Sequence, residues 1–176
     1  MSTSLVWLDE VIHDIRGVQI VHNQARRIRA NLPPESLPTL LALLKGRAGY
    51  LHLSAISCVD WPQDDTFELV YHVYSYETKV LVSAHIRIAK AVNAFISVYD
   101  LYEPAAFFER DIYEMFGLTF EGSPYMEKFI LTEWNGPPPM LKSFDTKQYV
   151  QDTFDWQDYQ PDWLNDIRAK GGRIVE

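Results

Sequence analysis

The chain has 176 residues, 47% of them hydrophobic and 23% charged, with a formal net charge of -8 and a single cysteine, Cys58. Such a length and composition suit one globular unit with a real core and exclude a disordered chain. The acidic balance, without any Lys/Arg run, excludes nucleic acid as a partner, and one cysteine supplies neither a disulfide framework nor the four thiolates that an iron–sulfur cluster takes.

The first stretch, "SLVWLDEVIHDIRG", predicts an amphipathic helix capped by Ser4 and stopped at Gly17, with Leu5, Leu8, Ile12 and Ile15 on one face. It carries Asp9 and Glu10 and no basic leader, and no run of roughly 18 apolar residues follows anywhere. A cytoplasmic chain is expected, held at a membrane only by partners. "VQIVHNQARRIRANL" reads as extended, and "PPESLPTLLALLKGRAG" as a short helix opened by prolines and closed by Gly46. The period then changes to that of strands. "YLHLSAISCVDW", "FELVYHVYSY" and "KVLVSAHIRIA" are three strand candidates, separated by turn chemistry at "WPQDD" and a polar link at "YETK". In the third, Val80, Val82, Ala84, Ile86 and Ile88 share one face. The expectation is an α+β fold: an antiparallel-rich mixed sheet with helices packed on one face, spanning residues 1–136.

"FFERDIYEMFG" predicts a helix from Pro104 to Phe116, with Gly117 just past its end. Its apolar stripe is Ala105, Phe108, Ile112, Met115 and Phe116. With Glu109 set at zero, Phe116 lies about 20° to one side and Tyr113 about 40° to the other, so a carboxylate sits at the margin of the buried face and needs a hydrogen-bonding partner. Arg110 is expected to pair with Glu114 one turn later, leaving Phe107 among polar neighbours. Local ion pairs on a solvated face are the plain structural reading; Phe107 and Glu109 favour an interface helix.

After Gly136 the composition shifts to a proline-led, aromatic and acidic segment, residues 137–176, containing Tyr149, Phe154, Trp156, Tyr159 and Trp163 without a steady period. It cannot build a core of its own. A solvated end is one reading; the aromatics favour an extended tail that wraps a partner, with Trp156 and Trp163 as anchors.

Other constellations are weaker. His13, His22, His52, His72 and His85 lie on different elements with no i, i+4 pair, so no metal site is expected. Ser83, His85 and Asp100 lack the nucleophile elbow of a hydrolase. The 24 acidic and 24 aromatic residues leave one alternative of another class, a carbohydrate-acting or carbohydrate-binding protein with Glu109 as its acid.

"ERDIYEMFGLTFEGSP" resembles the signature of the 30-kDa subunit of respiratory complex I and its relatives. Glu109, Arg110, Tyr113, Met115, Phe116, Gly117, Phe120, Gly122 and Pro124 match it, while Asp111 and Glu114 are conservative exchanges. The likeness extends from about Val18 to Phe144. It implies a subunit without catalytic, cofactor or metal residues of its own, on the cytoplasmic side of the cell membrane. Its partners would be the hydrogenase-like large (49-kDa type) subunit and the small iron–sulfur subunit, with the membrane arm met indirectly. Iron–sulfur clusters, and NiFe where present, would sit in those partners, and Glu109 and Arg110 would tie the helix to the following loop and to the large subunit. Departures are Ser123 for the family's His, Glu127 and Lys128 for an arginine pair, and Leu141 and Ser143 around the retained Lys142. Glu in place of Arg reverses a charge, so the resemblance points to the hydrogenase-like or ferredoxin-linked branch, with an ordinary NADH:quinone oxidoreductase as the alternative.

Overall fold

The computed structural model describes residues 15–154 and 162–170. They fall into two compact units that meet in sequence between Phe144 and Asp145. Most of the predicted first helix, residues 4–14, lies outside the described residues. Its stop is visible: Gly17 takes φ 80°, and a Cβ there would come within 2.7 Å of Pro33 Cγ, so both backbone and space require glycine.

The first unit opens with a hairpin of β1 (Gln19–Gln24) and β2 (Arg27–Asn31). A single 3-10 turn leads into α1 (Leu37–Ala48). Leu37, Leu40, Leu41 and Leu44 of α1 are buried, the i, i+3, i+4, i+7 stripe of a core-facing helix. This helix does not close at Gly46 as expected. It runs on to Ala48, and Gly49 ends it at φ 65° because that position, unlike Gly46, demands a left-handed backbone.

Three long strands follow: β3 (His52–Trp61), β4 (Thr66–Ser75) and β5 (Val80–Ala89). The sheet order is β1-β2-β5-β4-β3, with β2 and β5 parallel and every other pair antiparallel. This is the antiparallel-rich mixed sheet of an α+β fold. All five β5 residues assigned to one face are buried, beside Phe67, Leu69, Tyr71 and Val73 of β4. A short parallel pair, β6 (Ala94–Ile96) and β7 (Thr119–Glu121), flanks α2 (Ala105–Phe116). Helices α1 and α2 share one core with this inner face, and Phe116 meets Phe67 edge-on at 6.1 Å.

Residues 137–144 lie with this first unit, although the composition shift comes earlier, at Gly136. Met140 N–H donates to Met115 O at 3.0 Å, Lys142 N–H donates to Asp60 at 2.8 Å, and Leu141 packs on the core. The second unit contains α3 (Thr146–Thr153) and α4 (Asp162–Ala169). Asp145 caps α3 by accepting Gln148 N–H at 3.0 Å. Tyr149 and Phe154 form an edge-on pair within the same unit.

Candidate functional site

The charged motif sits on α2, whose ends are set by Pro104 and by Gly117 at φ 80°. Its buried residues are Ala105, Ala106, Ile112 and Phe116 together with two carboxylates, Glu109 and Glu114. Helical angles place Glu109 at the margin of the apolar face; in the structure it is fully buried, because the chain after β6 folds across it. Its oxygens accept Ser97 Oγ–H at 2.7 Å and Val98 N–H at 2.9 Å, and Ser97 Oγ in turn accepts Tyr99 N–H at 3.0 Å. A charge that is hydrogen-bonded in this way can stay in the core.

Glu114 does the same for the chain that follows the helix. It is 9% exposed and accepts the N–H groups of Phe129, Ile130 and Leu131 at 2.8–2.9 Å. Burial pushes its carboxyl up, but the three amides and the nearby Arg110 guanidinium outweigh this and hold it below the usual glutamate range. The expected Arg110–Glu114 pair is therefore not the direct contact. Arg110 donates to Glu127 O at 3.0 Å, to the Glu127 carboxylate at 3.2 Å and to Lys128 O at 2.5 Å, and its guanidinium lies 4.9 Å from the Phe129 ring centre. Backbone groups of one loop thus take both partners, because a folded loop offers more donors and acceptors than a neighbouring helical turn.

The third charge is different. Asp111 is half-buried and makes no hydrogen bond or ion pair with the described residues; partial burial, reinforced by Glu114, holds its carboxyl above the usual aspartate range. Beyond it Phe107 is 57% exposed, and the pinned loop presents Phe129 and Ile130 at 42% and 61%. Tyr113, Glu114, Lys128, Leu131, Trp134 and Pro138 line a cleft of about 300 Å³ between helix and loop.

The remaining motif residues shape this joint. Phe120 is buried in β7, and Gly117 lets Pro138 come within 3.0 Å of where its Cβ would be. Gly122 takes φ 89° beside Ser97. Pro124 is exposed, and the buried Ser123 hydroxyl has no hydrogen-bond partner among the described residues. Lys142 acts through its backbone, with its side chain exposed. In the second unit Trp163 is 59% exposed, while Trp156 lies outside the described residues.

Two buried carboxylates escaped the sequence reading. Asp60 lies 2.6 Å from Lys90 Nζ and accepts Lys142 N–H; burial pushes it up, yet these partners bring it below the usual range. A charge in register with Ile56 and Cys58 on a strand was the signal that could have found it. Glu68, on the other face of the sheet, accepts Trp61 Nε1–H at 2.8 Å and lies 2.8 Å from His85 Nδ1. His72 pairs instead with Ser83 at 2.9 Å, so Ser83 and His85 are not brought together with Asp100 as a hydrolytic trio. Burial and Asp60 push the Cys58 thiol up to about 12, which keeps it protonated and a poor metal ligand. Among the described residues no group of three or more His, Cys, Asp or Glu is placed to hold a metal ion, and no helix is long and apolar enough to cross a membrane.

The arrangement therefore fixes surfaces and leaves Glu109 no opening toward a sugar. Residues 30–150 match the family described as "Respiratory-chain NADH dehydrogenase, 30 Kd subunit". A subunit of the F(420)H(2) dehydrogenase of Methanosarcina mazei is 32% identical over 120 residues, covering 68% of this chain and 76% of that one. A subunit of the NADH-quinone oxidoreductase of Rhizobium rhizogenes is 28% identical over 161 residues, covering 88% and 80%. Among solved structures, a chain of the membrane-bound sulfane sulfur reductase, an archaeal respiratory membrane complex, superposes with a TM-score of 0.77 at 23% identity, over 91% of this chain and 96% of that one, a likeness of fold. The trypsin-resistant fragment of Nqo5 superposes with a TM-score of 0.58 at 26% identity, over 67% and 98%. The match over residues 30–150, which takes in strands β3 to β5, the joint on α2 and the segment that returns to Asp60, establishes that this chain belongs to the 30-kDa subunit family of the respiratory-chain NADH dehydrogenase.

Proposed function

We propose that this chain is a cofactor-free structural subunit in the cytoplasmic arm of a membrane-bound oxidoreductase related to complex I. It clasps the hydrogenase-like, 49-kDa type large subunit beside the small iron–sulfur subunit and supports electron transfer through clusters held by those partners. The observation that carries this reading is the α2 joint. Glu114 and Arg110 pin the loop of residues 127–131, which exposes Phe129 and Ile130, while Glu109 pins residues 97–99 and Phe107 stands exposed on α2 itself. Exposed aromatics on a pre-organised surface are interface anchors, since little ordering entropy remains to be lost on docking.

The branch we favour is the hydrogenase-like or ferredoxin-linked one, on the departures at Ser123, Leu141 and Ser143 and on a relative that belongs to an F(420)H(2) dehydrogenase and not to an NADH-quinone enzyme. Glu127 does not by itself argue for an altered partner, because its carboxylate already pairs with Arg110 within the chain. Similarity to NADH-quinone oxidoreductase subunits over 88% of the chain favours the second reading, the 30-kDa subunit of an ordinary NADH:quinone enzyme. Purification of the intact complex decides between them. Copurifying large and small subunits, nickel, and hydrogen evolution or ferredoxin oxidation support the first reading; NADH-driven quinone reduction without nickel or ferredoxin activity supports the second. A chain that purifies alone from the solubilised membrane overturns both.

A further inference from the structure

The sheet face turned away from helices α1 and α2 carries exposed side chains, and its chemistry runs against that of the chain. In a protein of net charge -8, the strands place Arg27, Arg29 and Arg87 on this face, with Asp64 of the β3–β4 turn paired to Arg87 at its edge, against one carboxylate on the strands themselves, Glu68. That carboxylate is already engaged. Trp61 Nε1–H, His85 Nδ1 and, at 3.5 Å, an Arg29 nitrogen surround it, and its side chain is only 9% exposed. The guanidiniums are held but not consumed. Arg29 Nε–H donates to Asn31 at 2.8 Å; Arg87 lies 4.9 Å from the Trp61 ring centre and contacts Asp64 at 2.5 Å; their side chains remain 40% and 48% exposed. Between them opens a cleft of about 440 Å³, floored by Glu68 and His85 and walled by Leu32 and Pro34.

We infer that this face is a second docking surface, fitted to an acidic segment of a partner subunit that lays a carboxylate side chain between Arg29 and Arg87. Forked N–H donors in fixed positions suit a carboxylate, and pre-organisation by Asn31 and Trp61 removes much of the ordering cost. The surroundings select a macromolecule over a free anion. Val21, Val59 and Trp61 stand 43%, 38% and 37% exposed on the same face, a mixed apolar and basic platform that a protein surface can cover. Charge complementarity at the contact selects an acidic segment, because the local guanidiniums, not the net charge of the chain, face it. The inference rests on the reading that the chain is one subunit of a larger complex, and adds a contact separate from the α2 joint.

Carbodiimide coupling tests it in the assembled complex. An Arg29→Lys chain is co-expressed with its partners, and the purified complex is treated with the zero-length reagent. The expected product joins position 29 to an Asp or Glu of a partner subunit. No product, a product with Glu68 only, or one with a second copy overturns the inference. In parallel, the doubly reversed chain, Arg29→Glu with Arg87→Glu, is expected to recover partner subunits at least roughly tenfold less well at low salt. Equal recovery by a reversed chain that melts like wild type also overturns it. Ile130→Asp separates the two readings: lost recovery with Ile130→Asp but not with the reversed pair removes only the sheet-face contact, and the opposite pattern removes only the joint.

Discussion

Replacing Glu114 with Ala removes the acceptor of three adjacent backbone N–H groups. A buried hydrogen bond to a charged group contributes about 1.5–3 kcal/mol. The three share one carboxylate and water can enter the space left, so their sum is not additive; about 3–4 kcal/mol is expected, in the range for breaking a buried charged contact. For a chain of this size that is a fall in Tm of about 6–16 °C. Glu114→Gln keeps an acceptor without the charge and recovers part of the loss. Asp111→Ala is the control. Its carboxyl is held above the usual range, so its ionised form is disfavoured in the fold, and removal leaves stability within about 0.5 kcal/mol or raises it slightly. Urea denaturation of the isolated chain gives the energies, and amide hydrogen exchange at Phe129, Ile130 and Leu131 locates them. A Glu114→Ala loss below about 1 kcal/mol, the range of a surface pair, with unchanged exchange at those amides, would refute the pinned loop.

Glu109→Ala is expected to cost about 3–5 kcal/mol and to free the Val98 and Tyr99 amides to exchange, because Ser97 and Val98 lose their buried partner; a cost no larger than that of Asp111→Ala contradicts this. Glu114, Asp60 and Glu68 all have folded pKa values below their unfolded ones, so the stability they contribute is complete above an unfolded value of about 4 and is lost as the pH falls through the depressed folded values. Acid titration of Tm should show this loss in wild type and a smaller one in Glu114→Gln; parallel curves would count against it. Asp60→Asn should loosen residues 137–144, read as limited proteolysis near Met140 that wild type resists. Deleting Asp145–Glu176 should leave the melting of the first unit unchanged while lowering recovery of the large subunit, and equal recovery would show that the tail does not wrap it.

Much of this fold is readable in the order of residues. Alternating Val80 to Ile88 faces one side of a strand whatever its neighbours, and Gly17 and Gly117 end segments because only glycine enters the left-handed region at low cost. The motif from Glu109 to Pro124 is legible for the same reason: a helix start, a stripe and a stop are local. Which partner each charge takes is not. Arg110 and Glu114 stand one turn apart, a spacing that predicts a pair, but a loop more than ten residues further along supplies carbonyls to one and amides to the other. Asp60 is a lone acid in a strand until Lys90 and Lys142 are brought to it across the fold. Likewise Glu68, Arg29 and Arg87 become one basic platform only when β2, β5 and β4 are laid side by side. Local periodicity sets which face a side chain takes; the partner that satisfies a buried charge comes from distant chain, and only tertiary packing decides it.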